Sequence, residues 1–250
     1  MAVAKKPRRK ALADTPRVDA QPALVLHQQP YRETSRLLDV FSRDHGRVAI
    51  VARGAQRPGS QARAVLLGFQ PLLLSWFGAG ELKTLHAAEW QGGIAQLAGL
   101  PLLCGFYLNE LLQRLLPRDA PNPPLFAAYF EAIQALSLLP REPGAEVEPI
   151  LRRFELALLS SLGYAPDWRI TAEGQAVQPR QRYGFEPGSG LTPSGTRAGC
   201  PGEALLALAA GSLEPQWLLQ VKPLMRQMIA SLIGANPLHT RQLLIDLQRL

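Results

Sequence analysis

Between Ala23 and Trp90 apolar and polar residues alternate in short runs, the period of strands that bury one face. Five such runs stand out: "ALVLHQ", "SRLLDVFS", "RVAIVARGA", "AVLLGFQPLLLSWFG" with a bend expected at Pro71, and "ELKTLHAAEW". The stretches "RDHG", "AQRPGSQAR" and "GAGE" between them carry turn chemistry. There is no room for a long crossover helix, so the pattern predicts a small antiparallel barrel compatible with an OB-fold.

After Trp90 the period lengthens to that of helices. "PLLCGFYLNELLQRLL" places Leu103, Tyr107, Leu108, Leu111, Leu112 and Leu115 at steps of three and four and stops at Pro117. "LFAAYFEAIQALSLL" follows the linker "PRDAPNPP". A third helix is expected near "EVEPILRRFELALLSSLGY", with Glu146 and Glu148 favouring its N-terminal dipole and Gly163 as its stop. Residues from 164 to about 200 are rich in Gly, Pro and Ser and read as a loop-rich insert with room for one hairpin. Helices resume in "GEALLALAAG", "EPQWLLQVKPLMRQMIASLIG" and "LHTRQLLIDLQRL". The fold class is therefore α+β. A disordered basic arm is expected over 1–22, a nucleic-acid-binding barrel over 23–95, and a helical domain with its insert over 96–250.

Charge narrows the choice of partners. The 250 residues carry a net charge of +7, which favours polyanions such as nucleic acid. Lys5, Lys6, Arg8, Arg9 and Lys10 sit in the arm without a single acid among the first ten residues, so the arm is either a solvated tail or a non-specific phosphate contact. No apolar run reaches the roughly 18–20 residues of a membrane-spanning helix, and the start lacks the apolar centre of a secretory signal. A cytoplasmic protein without membrane partners is expected. Cys104 and Cys200 are too few and too far apart for a disulfide framework or a zinc ribbon.

Catalytic patterns are missing. "GSGLTPSG" lacks the Gly-Lys-Ser/Thr ending of a phosphate loop, and His27, His45, His86 and His239 have no ligand spacing. No enzyme, cofactor or metal is expected. The stronger signal is the arginines of the barrel. Arg32, Arg36, Arg43, Arg47, Arg53, Arg57 and Arg63 face only Glu33, Asp39 and Asp44. In "RVAIVAR" the strand period sends Val48, Ile50 and Ala52 to one face, and Arg47 and Arg53 to the other. Arg57 and Arg63 fall in the loop beyond, where flexible cations can follow a phosphodiester chain. Arg32, Arg36, Arg47, Arg53, Arg57 and Arg63 are thus candidate DNA contacts, against the alternative of an ordinary solvated surface. Tyr31, Phe41, Phe69, Trp76 and Phe77 are nearby stacking candidates, of which Phe41, Phe69 and Phe77 fit the core better.

A second candidate lies in "EPILRRFELALLSSLGY". Leu151, Phe154, Leu158 and Leu162 form an apolar stripe with Arg152 and Arg153 at its edge. Paired cations beside an apolar groove suit a short acidic and aromatic peptide, which makes Leu151, Arg152 and Arg153 candidate tail-binding residues. Alternatively Arg152 makes a helix ion pair with Glu148, worth about 0.3–0.5 kcal/mol.

Several segments in order, "VLHQQPYRETSRLLDVFSRDHGRVAIVARGA", "FQPLLLSWFGAGELKTLHAAEW", "GFYLNELLQRLL", "LRRFELALLSSLGY" and "IGANPLHTRQLL", resemble the RecO family of bacterial recombination mediators and DNA-annealing proteins. The resemblance implies an OB-fold on a helical domain and a non-enzymatic role in DNA repair. It implies binding of single- and double-stranded DNA, annealing of complementary strands, and work with RecR to load RecA onto DNA coated by single-strand-binding protein. It further implies that the acidic, phenylalanine-ended tail of that coating protein docks on the helical domain, with Arg152 as the basic residue of "LRRFE". Two features depart from the family. Only Cys200 remains where many members carry four zinc-binding cysteines, so no zinc is expected. The C-terminal motif is less basic, with Asn236, His239 and Thr240 before Arg241. A purely structural adaptor and an RNA-binding factor are the alternative readings of the same charge and fold.

Overall fold

The computed structural model describes residues 16–195, 199–234, 236–240 and 242–243. Most of the expected basic arm, residues 1–15, lies outside the described residues. The chain divides between Gly93 and Ile94 into two compact units.

The first unit is a closed, OB-like barrel of β1 (Arg17–Tyr31), β2 (Ser35–Ser42), β3 (Gly46–Ala52), β4 (Leu72–Phe77) and β5 (Leu82–Trp90), in the order β1-β2-β3-β5-β4. The period-two expectation is met in detail. Val25, Leu38, Val40, Val48, Ile50, Leu72, Leu74 and Trp76 all enter one core, and the β2–β3 register sets Leu38 opposite Ile50 and Val40 opposite Val48. Fully burying each such aliphatic side chain stabilises the fold by about 1.5–3 kcal/mol.

The barrel departs from the expected one in three places. Strand β1 starts at Arg17, inside the expected arm, because one long strand serves two neighbours: its first half pairs with β4 and its second with β2. Bulges between Val18 and Gln21 and between Val25 and His27 disrupt its alternation, and Pro22 masks its continuity. The barrel is not wholly antiparallel either, since β3 and β5 close it as a parallel pair. Finally, "AVLLGFQPLLLSWFG" is not one strand. Helix α1 (Gln61–Val65) takes up its start, a positive φ of 62° at Phe69 breaks the run, and β4 begins only after Pro71. A short apolar run has no period that separates strand from helix.

In the second unit α2 (Gly99–Leu115), α3 (Pro123–Ser137) and α4 (Val147–Ser161) surround a core that includes Leu108, Leu111, Leu112, Tyr129, Ile133, Phe154 and Leu158. The Asn122 side chain caps α3 by accepting the Leu125 N–H at 3.1 Å. The insert forms a small sheet of β6 (Arg182–Glu186), β7 (Gly190–Pro193) and β8 (Cys200–Pro201). Helices α5 (Gly202–Ala209), α6 (Pro215–Gln220) and α7 (Lys222–Ile233) follow. The expected single helix through "VKPL" is split, because Pro223 is accommodated only in a new first turn. Among the described residues no helix is long and apolar enough to cross a membrane.

Candidate functional site

The barrel carries a cleft of about 670 Å³ lined by Tyr31, Arg32, Thr34, Ser35, Val51, Arg53, Gly54, Arg57, Leu82, Lys83 and Thr84. These come from three separate places: the β1–β2 turn, the exit of β3, and the start of β5. The parallel pairing that closes the barrel sets Ile50 beside Lys83 and Val51 beside Thr84. Gln56 ties the other two segments together, donating its N–H to the Thr34 carbonyl at 2.9 Å and its side-chain amide to the Ser35 carbonyl. Gly54, at φ 69°, turns the chain so that Arg57 N–H closes on the Gly54 carbonyl at 3.0 Å. Arg53 and Arg57 thereby flank one opening.

Four cations and several hydroxyls line this cleft, with no carboxylate among its lining residues. Such a surface attracts anions, and its hydroxyls can donate to phosphate oxygens. Arg32 occupies the left-handed region at φ 52°, uncommon for a bulky residue, in the turn between β1 and β2. Its guanidinium carbon lies 5.3 Å from the centroid of the Tyr31 ring. Lys83 donates to the Gly80 carbonyl at 2.7 Å, which ties its ammonium to the β4–β5 turn.

The six barrel arginines separate into two groups. Arg32, Arg53 and Arg57 meet in the cleft; Arg36, Arg47 and Arg63 are not among its lining residues. Arg36 donates to Gln28 Oε1 at 2.7 Å. Arg47 clasps Asp39, and Arg63 is exposed on α1. Of the stacking candidates, Phe41, Phe69 and Trp76 are buried, and only Tyr31 reaches the cleft.

The helical candidates are also redistributed. Leu151 and Arg152 are buried and Arg153 is exposed. Arg152 pairs with Glu155, not with Glu148; Glu148 takes Lys222 instead. Glu155 also accepts the Tyr107 hydroxyl at 2.7 Å. Burial pushes the Glu155 carboxyl up, against the pull of Arg152, and the nearby Arg226 charge acts in the same direction as Arg152. Arg153 donates to the Leu213 carbonyl at 3.0 Å.

Next to this network α7 carries an apolar pocket of about 190 Å³, lined by Arg226, Ile229, Ala230, Ile233, Gly234, Pro237 and Leu238. Arg226 is exposed at its edge. Sequence reasoning missed both Lys83 and Arg226. A readable signal existed only for Arg226, which has Ile229, Ala230 and Ile233 at the following three-, four- and seven-residue steps. Lys83 enters the cleft through a strand pairing that no local pattern encodes.

No three His, Cys, Asp or Glu side chains among the described residues come together as a metal site. Cys104 and Cys200 are buried, and burial pushes their thiols up to about 11 and about 12.

An OB-like barrel bearing a carboxylate-free cationic cleft, followed in the chain by a helical unit, defines a class of barrel proteins suited to a phosphate backbone. Residues 19–93 match the model for the N-terminal domain of recombination protein O, and residues 98–232 match that for its C-terminal domain. The "DNA repair protein RecO" of Chromobacterium violaceum is 49% identical over 243 residues, covering 94% of this chain and 97% of the relative. Those of Nitrosospira multiformis and Thiobacillus denitrificans are 47% and 46% identical, covering 95% and 94% of this chain and 99% and 94% of the relatives. The chain belongs to the recombination protein O family.

Proposed function

We propose that this protein acts in DNA repair and homologous recombination as a non-enzymatic mediator in the cytoplasm. It binds single- and double-stranded DNA, anneals complementary strands, and with RecR helps load RecA onto DNA coated by single-strand-binding protein. The observation that carries this reading is the cleft in which Arg32, Arg53, Arg57 and Lys83 converge without a lining carboxylate. Cations held there neutralise phosphates and weaken the repulsion between two strands, while base pairing supplies the specificity. Tyr31 offers a ring for an unstacked base at the same opening.

Recruitment to coated DNA falls to the helical unit. The α7 pocket is apolar with one arginine at its edge, the chemistry for a peptide end that joins an aromatic side chain to a carboxylate. Its about 190 Å³ compares with the about 150 Å³ of an apolar cavity that takes up benzene. In this reading Arg226 makes the anion contact and Arg152 supports the site from the interior, while Arg153 stays on the Leu213 carbonyl.

Annealing of two complementary oligonucleotides, naked and coated with single-strand-binding protein, tests the proposal. The wild-type protein accelerates both reactions; Arg53→Glu with Arg57→Glu slows both, and Arg226→Glu slows only the coated one. Failure of the wild-type protein to accelerate even naked strands favours a non-annealing adaptor.

A further inference from the structure

The wall of the α7 pocket belongs to the segment after α7, and two side chains of α2 hold it. Glu110 Oε1 accepts the His239 N–H at 2.9 Å. Its Oε2 accepts the Thr240 N–H at 3.0 Å and the Thr240 hydroxyl at 2.7 Å. One turn further along α2, Arg114 bonds Glu110 at 3.3 Å. Arg114 also donates to the carbonyls of Asn236 at 3.0 Å and Pro237 at 3.3 Å. These contacts bracket Pro237 and Leu238, both of which line the pocket.

We infer that Glu110 and Arg114 are positioning residues for the pocket that receives the aromatic end of an acidic peptide, fixing its Pro237–Leu238 wall opposite α7. The inference rests on the tail-binding reading given above. Neither residue lines the pocket, so neither touches the ring. Gly234, at φ 75°, ends α7 and releases the chain into a new direction. Beyond it the wall is also held, among the described residues, by the burial of Leu238 and the Gln242 N–H to Leu238 carbonyl bond of 3.2 Å. A carboxylate at the start of a helical turn satisfies N–H groups that have no partner within the turn. Here that carboxylate comes from another helix, so capping and wall placement are one event. Loosening the clasp lowers the fraction of molecules with a formed pocket, and apparent affinity falls by the same factor.

Calorimetric titration of the full-length protein with an acidic peptide ending in phenylalanine tests this, alongside the same peptide ending in alanine. Glu110→Gln is expected to weaken the phenylalanine peptide about tenfold, the loss of roughly one charge-assisted hydrogen bond. Thr240→Val, which removes only the hydroxyl bond, weakens it about threefold by the same reasoning. Both variants keep wild-type affinity for an oligonucleotide, and their preference for phenylalanine over alanine shrinks, which a general loss of stability does not produce. Wild-type affinity and preference in both variants overturn the clasp while leaving the tail reading intact. Absence of binding by the wild-type protein overturns the tail reading and this inference with it.

Discussion

Arg47 reaches across the β2–β3 ladder to Asp39, with Nη2 2.7 Å from Oδ2 and Nε 3.0 Å from Oδ1, and the two side chains are only 13% and 15% exposed. A cation clasped in bidentate fashion by a carboxylate on the next strand is poorly placed to exchange it for phosphate. Arg47→Ala is expected to destabilise the barrel by about 1–2 kcal/mol, chiefly through the weakened hold on Asp39. Affinity for an oligonucleotide stays within about twofold. Urea denaturation and fluorescence anisotropy on one preparation check both halves; a large loss of DNA affinity with unchanged stability contradicts the assignment.

Arg53 and Arg57 differ from Arg47 in lining an opening that has no carboxylate among its described lining residues. Each phosphate contact on a single strand adds about 0.7 to the slope of log affinity against log salt. Replacing both residues by alanine is expected to flatten that slope by about 1.4, whereas Arg36→Ala leaves it unchanged. Anisotropy titrations over a range of salt concentrations measure the slopes directly.

Arg152 and Glu155 form a pair with 6% and 1% of their side chains exposed. Removing the arginine alone strands a carboxyl in the interior. Arg152→Ala is expected to cost about 3–5 kcal/mol, and Arg152→Met with Glu155→Leu to recover most of it. A single-variant loss under about 1 kcal/mol in urea denaturation contradicts the buried pair.

The clasp also has a pH dependence. Burial alone raises the Glu110 carboxyl, but hydrogen bonds from Thr240 and His239 and the charge of Arg114 outweigh it, leaving the pKa below its ordinary value of about 4.5. A carboxyl depressed in the folded state contributes stability that is complete above its unfolded pKa and is lost as pH falls through the folded one. Urea midpoints measured from pH 7 down to pH 3 are therefore expected to fall less steeply for Glu110→Gln than for the wild-type protein. Parallel curves contradict this role.

The sequence by itself determined the residues of the barrel core and the helical stripes. Leu38, Val40, Val48 and Ile50 face inward because side-chain direction along a strand follows from a period of two. The helix around Leu151, Phe154 and Leu158 follows from a period near 3.6. It also determined the excess of cations and, through segments in family order, the family. What the tertiary structure alone decided is which cations line one cleft. The β2–β3 ladder and Gln56 bring Arg32 and Arg53 together, and Lys83 joins them only through the β3–β5 pairing that closes the barrel. Arg47 and Arg53 share a strand pattern yet differ in surroundings, because Asp39 lies across from one and an open cleft beside the other. Likewise Arg152 looked like a surface cation from its own helix and is buried by the packing around Glu155. Local periodicity reports which way a side chain points. The charge it meets there depends on strand register and helix packing between residues distant in the chain.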